Sequence, residues 1–154
     1  MSNRYETPLA LVSRLMTRAI RDVGYDDVSV IPIPSTRHVR PAADFPGKRI
    51  ARIIERREPR FVNTPVLYFG HPVPQSTHSR RRTETALRIN LRATDLRGIR
   101  RAVLIDDVMT TGAHLKAAAA FLASRHIRVD DAFVVARLAE RCPENMFRPP
   151  VITL

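Results

Sequence analysis

Residues 101–114 constrain this chain more than any other stretch. Ala102, Val103, Leu104 and Ile105 form an apolar run of the length expected for a buried parallel strand. Asp106 and Asp107 follow at once, then Thr110-Thr111-Gly112, then an alanine-rich helical pattern over residues 114–125. A strand that hands over to a helix through a short hydroxyl- and glycine-bearing turn creates a loop at the positive end of the helix dipole. Its amides and hydroxyls can hold a phosphate dianion. The paired carboxylates stand beside it, where they can accept hydrogen bonds from a ribose diol or face its magnesium ion. The pattern predicts a phosphate–sugar cradle.

The flanking sequence supplies a scaffold for it. Thr7 and Pro8 read as a helix cap and first turn, and Val12, Leu15, Met16, Ala19, Ile20 and Val23 recur at helical spacing before Gly24. Residues 28–34 form a β-branched strand ended by Pro32 and Pro34, which cannot donate ladder bonds. Ser35, Thr36, Arg37 and Arg40 follow at the carboxyl end of that strand, where ligands of open α/β sheets sit. Anion binding and plain solvation are equally good readings of that loop. Residues 44–57 read as a second helix with Ile50, Ile53 and Ile54 inward and Lys48, Arg49, Arg52, Arg56 and Arg57 outward. A solvated face is the commoner explanation of those cations, and nucleic-acid contact the sharper one.

Residues 65–69 are the next strand, ended by Gly70. Residues 70–83 carry Pro72, Pro74, Gln75 and the run Arg80, Arg81, Arg82, which predicts an exposed, mobile lid. Residues 85–91 fit a short helix or a returning strand. Residues 126–138 form a further strand, and 139–154 a polar, proline-rich tail in which Val151 to Leu154 can add an edge strand. Strands alternating with helices predict an α/β fold of three layers, with a mainly parallel central sheet and helices on both faces. At this length a single domain over residues 1–154 is expected, with its core at about 28–138.

Charge narrows the partner. The chain has 26 basic against 15 acidic residues, a net +11, and all its cations but Lys48 and Lys116 are arginine. Genome base composition can favour arginine over lysine, but it does not require so few acids, so an anionic partner is expected, either nucleic acid or a polyphosphorylated small molecule. Cys142 is the only cysteine, which excludes an internal disulfide and a cysteine-based metal site. The five histidines lack metal-ligand spacing, and no Ser-His or His-Asp pairing suggests covalent catalysis. No apolar run approaches a membrane span and no signal-peptide layout opens the chain, so a cytoplasmic protein without a membrane partner is expected.

Residues 103–112 resemble the phosphoribosyl pyrophosphate (PRPP) motif of type I phosphoribosyltransferases: a strand, two acidic residues, two variable positions, then Thr-Thr-Gly. The resemblance extends over residues 28–138. Within that family the chain is most similar to the competence protein F-like branch, through Ile31-Pro32-Ile33-Pro34 followed by Arg37, Gln75, Arg88 and Asn90, and Ala136-Arg137. The zinc ribbon that often precedes that branch has no cysteines here. The resemblance implies that Asp106 and Asp107 serve catalysis at the ribose hydroxyls and an associated Mg2+. Thr110, Thr111, Gly112, Ala113 and His114 would wrap the 5′-phosphate, and Ser35, Thr36 and Arg37 would bind pyrophosphate. Gln75, Arg80, Arg81 and Arg82 would belong to a flexible loop that closes over PRPP and excludes water.

Two positions depart from the family pattern. A small residue or threonine usually stands where this chain has His114, and hypoxanthine-guanine salvage enzymes carry an aspartate where it has Thr110. Thr110 cannot take that residue's role near a purine ring, which argues against that substrate subclass. The resemblance implies a phosphoribosyltransferase that moves phosphoribosyl from PRPP to a small nitrogenous acceptor, a nucleobase or related compound, with pyrophosphate release and Mg2+ as cofactor. The alternative is a non-catalytic PRPP sensor or a nucleic-acid-binding member of the same fold, linked to DNA uptake. Either form leaves room for a homodimer.

Overall fold

The two most apolar stretches of the chain lie side by side at the middle of a parallel sheet. A computed structural model describes residues 6–37, 39–72 and 84–138. Its elements run α1 (Pro8–Asp22), β1 (Val28–Pro32), α2 (Pro46–Arg57), β2 (Phe61–Asn63), β3 (Leu67–Phe69), α3 (Glu84–Asn90), β4 (Leu91–Ala93), β5 (Arg101–Met109), α4 (Ala113–Ala123) and β6 (Arg128–Arg137). Four strands form one sheet in the order β2-β1-β5-β6, every pair parallel. The separate β3–β4 pair is antiparallel. The tail 139–154, with its expected edge strand, and the lid residues Gln75, Arg80, Arg81 and Arg82 lie outside the described residues.

Both faces of the sheet are covered, and strand alternation sorts the core into two halves. Successive side chains on a strand point to opposite faces. Val28 and Val30 of β1 with Val103 and Ile105 of β5 meet Ile20 of α1 and Ile50 and Ile54 of α2. Ile31, Ala102 and Leu104 point the other way, onto Leu115, Ala118 and Leu122 of α4, Leu87 of α3 and the β3–β4 ribbon. This is the expected three-layer α/β arrangement, with its mainly parallel sheet between two helical layers.

Local differences from the sequence reading have physical reasons. Helix α1 starts as its cap requires, the Thr7 hydroxyl accepting from the Ala10 amide at 3.3 Å. Its buried face, however, is Ser13, Met16, Thr17 and Ile20, while Leu15 is 51% exposed. The hydroxyls of Ser13 and Thr17 donate to the Leu9 and Ser13 carbonyls at 2.8 and 2.7 Å, which satisfies them locally and lets polar residues enter the core. Strand β2 is absent from the sequence reading because three residues are too few to set up an alternation, yet Phe61 is fully buried. Residues 84–93 resolve the open choice as a helix followed directly by a strand. Strand β5 runs to Met109, so the acidic pair sits on the strand and not after it.

No helix among the described residues is long and apolar enough to cross a membrane.

Candidate functional site

The order β2-β1-β5-β6 means that the chain steps outward from β1 to β2 in one direction and from β5 to β6 in the other. The switch point therefore lies between β1 and β5, and a crevice opens there at the carboxyl ends of the strands. Pro32 pairs with Ile105, and the Ile33 amide donates to the Ile105 carbonyl at 2.9 Å. The loop carrying Ser35, Thr36 and Arg37 thus leaves the sheet beside Asp106. Helix α2 closes in from one side: a Cβ on Gly47 would stand 3.5 Å from Pro32 and 3.7 Å from the Ile105 carbonyl.

Asp106 and Asp107 are partly buried at the end of β5. The Asp107 amide donates to Asp106 Oδ1 at 2.9 Å, and the Val108 amide to Asp107 Oδ1 at 3.0 Å. Burial first, and then the hydrogen bond and charge of the Asp107 carboxylate, push the Asp106 carboxyl from its ordinary 3.8 up to about 8; the Asp107 amide pulls weakly the other way. Burial and crowding thus favour a proton on the pair near neutral pH, one that a bound cation would displace. Among the described residues no three His, Cys, Asp or Glu side chains gather into a metal-binding group. Two adjacent carboxylates nevertheless fit magnesium, which commonly takes one or two protein carboxylates and completes its shell with water and substrate oxygens.

Beyond Met109 the chain turns at Thr110, Thr111 and Gly112 into α4. Gly112 caps the helix in the left-handed region, at φ +75°, with no side-chain cap, and the first turn carries no acid. The Thr111 hydroxyl accepts from the Ala113 amide at 3.3 Å, occupying a donor that an anion at this helix end would otherwise take. Thr110 and Thr111 are exposed, Ala113 and His114 partly buried. The His114 ring stands edge-on to Phe69, centroids 6.2 Å apart, tying the start of α4 to β3. That aromatic contact gives the imidazole a packing role unforeseen in the sequence.

In the loop after β1, Thr36 is buried and Ser35 and Arg37 are exposed, with the Ser35 hydroxyl accepting from the Arg37 amide at 3.4 Å. Arg37 and Arg40, with Val39, Ala42 and Ala43, line a cavity of about 390 Å3. The fold thus brings the acidic pair, the Thr-Thr-Gly turn and the arginine loop to one end of one sheet.

Asn90, singled out in the sequence only as a point of family resemblance, has a structural role. Its amide group closes a ring on the backbone of His71, accepting from its N–H at 3.0 Å and donating to its carbonyl at 2.7 Å, while its own carbonyl accepts from Gly70 at 2.9 Å. It therefore ties the residues that follow β3 to the C-terminal end of α3. Nothing in the sequence signalled this clamp, because its partner His71 lies 19 residues away.

No protein-family model matches the chain, and no curated protein matches it either. Among solved structures, it is similar to a hypoxanthine phosphoribosyltransferase from Staphylococcus aureus, with a TM-score of 0.50 and 12% sequence identity over 86% of this chain and 73% of that one. At that identity the likeness establishes the fold. The chain has a phosphoribosyltransferase-type α/β fold.

Proposed function

We propose that this protein is a phosphoribosyltransferase-like enzyme that binds PRPP with Mg2+ and transfers the phosphoribosyl group to a nitrogen nucleophile. One observation carries the reading: at the switch point of a phosphoribosyltransferase-type sheet, a carboxylate pair at the end of β5 leads through a left-handed glycine straight into a helix N-terminus that holds no acid. Asp106 and Asp107 orient the ribose hydroxyls. Thr110, Thr111, Gly112 and the first amides of α4 hold the 5′-phosphate, and His114 flanks them. Arg37, with Ser35 and Thr36, meets the pyrophosphate from the neighbouring loop. Magnesium, held by the acidic pair and the substrate, would neutralise part of the departing charge.

In the reaction the acceptor nitrogen forms a bond to the ribose C1 as the C1–oxygen bond to pyrophosphate breaks, and the acceptor's proton is lost. Positive charge gathers on the sugar in the transition state, so placement and fixed charge supply most of the acceleration. Thr110, where purine salvage enzymes have a carboxylate, turns the acceptor away from hypoxanthine and guanine. Gln75, Arg80, Arg81 and Arg82 would belong to the flexible loop that the family resemblance implies closes over PRPP.

The test is pyrophosphate release from PRPP with Mg2+ and a panel of nucleobases. Turnover with one base supports the enzyme reading. No turnover with any base, together with tight nucleic-acid binding that weakens steeply with salt, would replace it with the non-catalytic reading, which the charge of +11 favours.

A further inference from the structure

A second basic cavity lies away from the cradle. It holds about 520 Å3 and opens between β4, residues 94–96 and the last turn of α4. Gly112 and Ser124 bracket α4, so the cavity stands roughly 18 Å along the helix from the Thr-Thr-Gly turn. Arg88, Arg92 and Arg125 line it, and no lining residue is acidic. None of the three makes an ion pair among the described residues, whereas Arg21, Arg60, Arg97, Arg101 and Arg128 each face a carboxylate.

Two of these arginines, Arg92 and Arg125, are placed before any ligand arrives. Arg92 Nη1 donates to the Ile89 and Leu91 carbonyls at 2.6 and 2.8 Å. The Arg125 guanidinium lies 4.4 Å from the centroid of the Phe121 ring and donates to Ser124 Oγ at 2.9 Å. Held guanidiniums lose little freedom on binding, so more of each charge-assisted bond appears as affinity. Leu91, Leu96 and Phe121 give the same cavity an apolar wall. Cations without acids select an anion, and the apolar wall with its guanidinium-stacked ring selects one that carries a flat, weakly polar part.

We propose that this cavity is a second ligand site, separate from the cradle, that takes a nucleoside phosphate. The unit can come from a free nucleotide or from a single strand, and the two sources are separable. The measurement is fluorescence anisotropy of a dye-labelled adenosine triphosphate with the full chain in magnesium-free buffer. Arg88→Ala with Arg125→Ala is expected to weaken binding roughly tenfold or more, while Thr111→Ala with Gly112→Ala in the cradle leaves it nearly unchanged. Both arginines are exposed, so the chain should fold; if the alanine pair melts early, Arg88→Gln with Arg125→Gln gives the same reading. A labelled single strand of about 12 nucleotides is measured alongside. If it binds more tightly than the nucleotide and weakens in the same arginine variant, nucleic acid is the source; the reverse preference identifies the free nucleotide, and both support the site. Wild-type chain that does not bind the triphosphate, or a loss that follows the cradle variant alone, overturns it.

Discussion

The two ends of the central sheet treat charge in opposite ways. At the amino end the arginines that open β5 and β6 are matched. Arg101 and Arg128, which open β5 and β6, share Asp130 at 2.9 and 2.7 Å, and the Arg101 guanidinium also covers the Tyr25 ring at 4.5 Å. The Tyr25 hydroxyl donates to Asp131, and Glu58 sits between Arg21 and Arg60. At the carboxyl end two carboxylates crowd each other on β5, a glycine holds a left-handed turn, and Arg37 and Arg40 have no ion pair among the described residues. Matched charge stabilises a fold; unmatched charge is kept where a ligand completes it. The strand-opening arginines are neutralised, while the carboxyl end keeps its charges unpaired among the described residues.

The largest expected effect tests the carboxyl end. Asp106→Asn with Asp107→Asn should weaken magnesium-dependent PRPP binding by about a hundredfold or more, the loss of two charge-assisted contacts. The melting temperature should not fall, since neither Asn carries the buried charge. Unchanged affinity in calorimetry would break the contrast outright, since the acidic pair would then be structural like Asp130.

Acidity gives the next effect. Asp106 is raised from 3.8 to about 8, so the folded chain binds a proton that the unfolded chain releases. The contribution of Asp106 to folding stability should therefore be fully present near pH 4 and be lost as pH rises towards 8, and Asp106→Asn should remove that slope. PRPP binding, which needs the proton to leave, should tighten by up to about tenfold per pH unit until roughly pH 8. Calorimetry across that range reads both signs, and an affinity independent of pH would place the proton elsewhere.

The amino end predicts the converse pattern. Burial, then the Asp131 carboxylate, pushes the Tyr25 hydroxyl up to about 12, so it stays a donor at any working pH. Tyr25→Phe leaves Asp131 without that donor and should cost about 1–3 kcal/mol of stability with no change in PRPP affinity. A loss of affinity there would join the two ends functionally.

The smallest and finest test uses two glycines in the same left-handed region, Gly24 near the amino end (φ +96°) and Gly112 at the cradle (φ +75°). Neither Cβ would meet a close neighbour, the nearest atom to Gly112 being Met109 Sδ at 3.5 Å. Alanine at either should therefore cost about 1 kcal/mol through backbone strain alone. Only Gly112→Ala should also weaken PRPP binding, because it alone aims the first amides of α4. Equal binding in both variants would show that the turn does not depend on its glycine.

How much could be read beforehand varied with distance along the chain. Residues 101–114 were legible because strand, acids, turn and helix are contiguous and each is set by local chemistry. The α/β class followed from alternation, and helix α1 from Thr7 and Pro8. Strand β2, the antiparallel β3–β4 ribbon and the true buried face of α1 were not legible. Phe61, Ser13 and Thr17 owe their burial to partners far away in sequence or to a carbonyl four residues back, and no periodicity records either.

The sequence by itself determined the elements and the chemistry of the cradle, because backbone conformation, capping and charge type are local properties. Only the tertiary structure decided which loops share an end of the sheet, because strand order depends on long-range register between β1 and β5. It also decided that Asp106 keeps a proton, since that follows from burial. And it separated matched from unmatched arginines, which sequence reports as a single sum: one net charge hides neutralised strand-opening arginines, an unpaired arginine loop and a second basic cavity, because Coulomb energy depends on distance and burial and not on count.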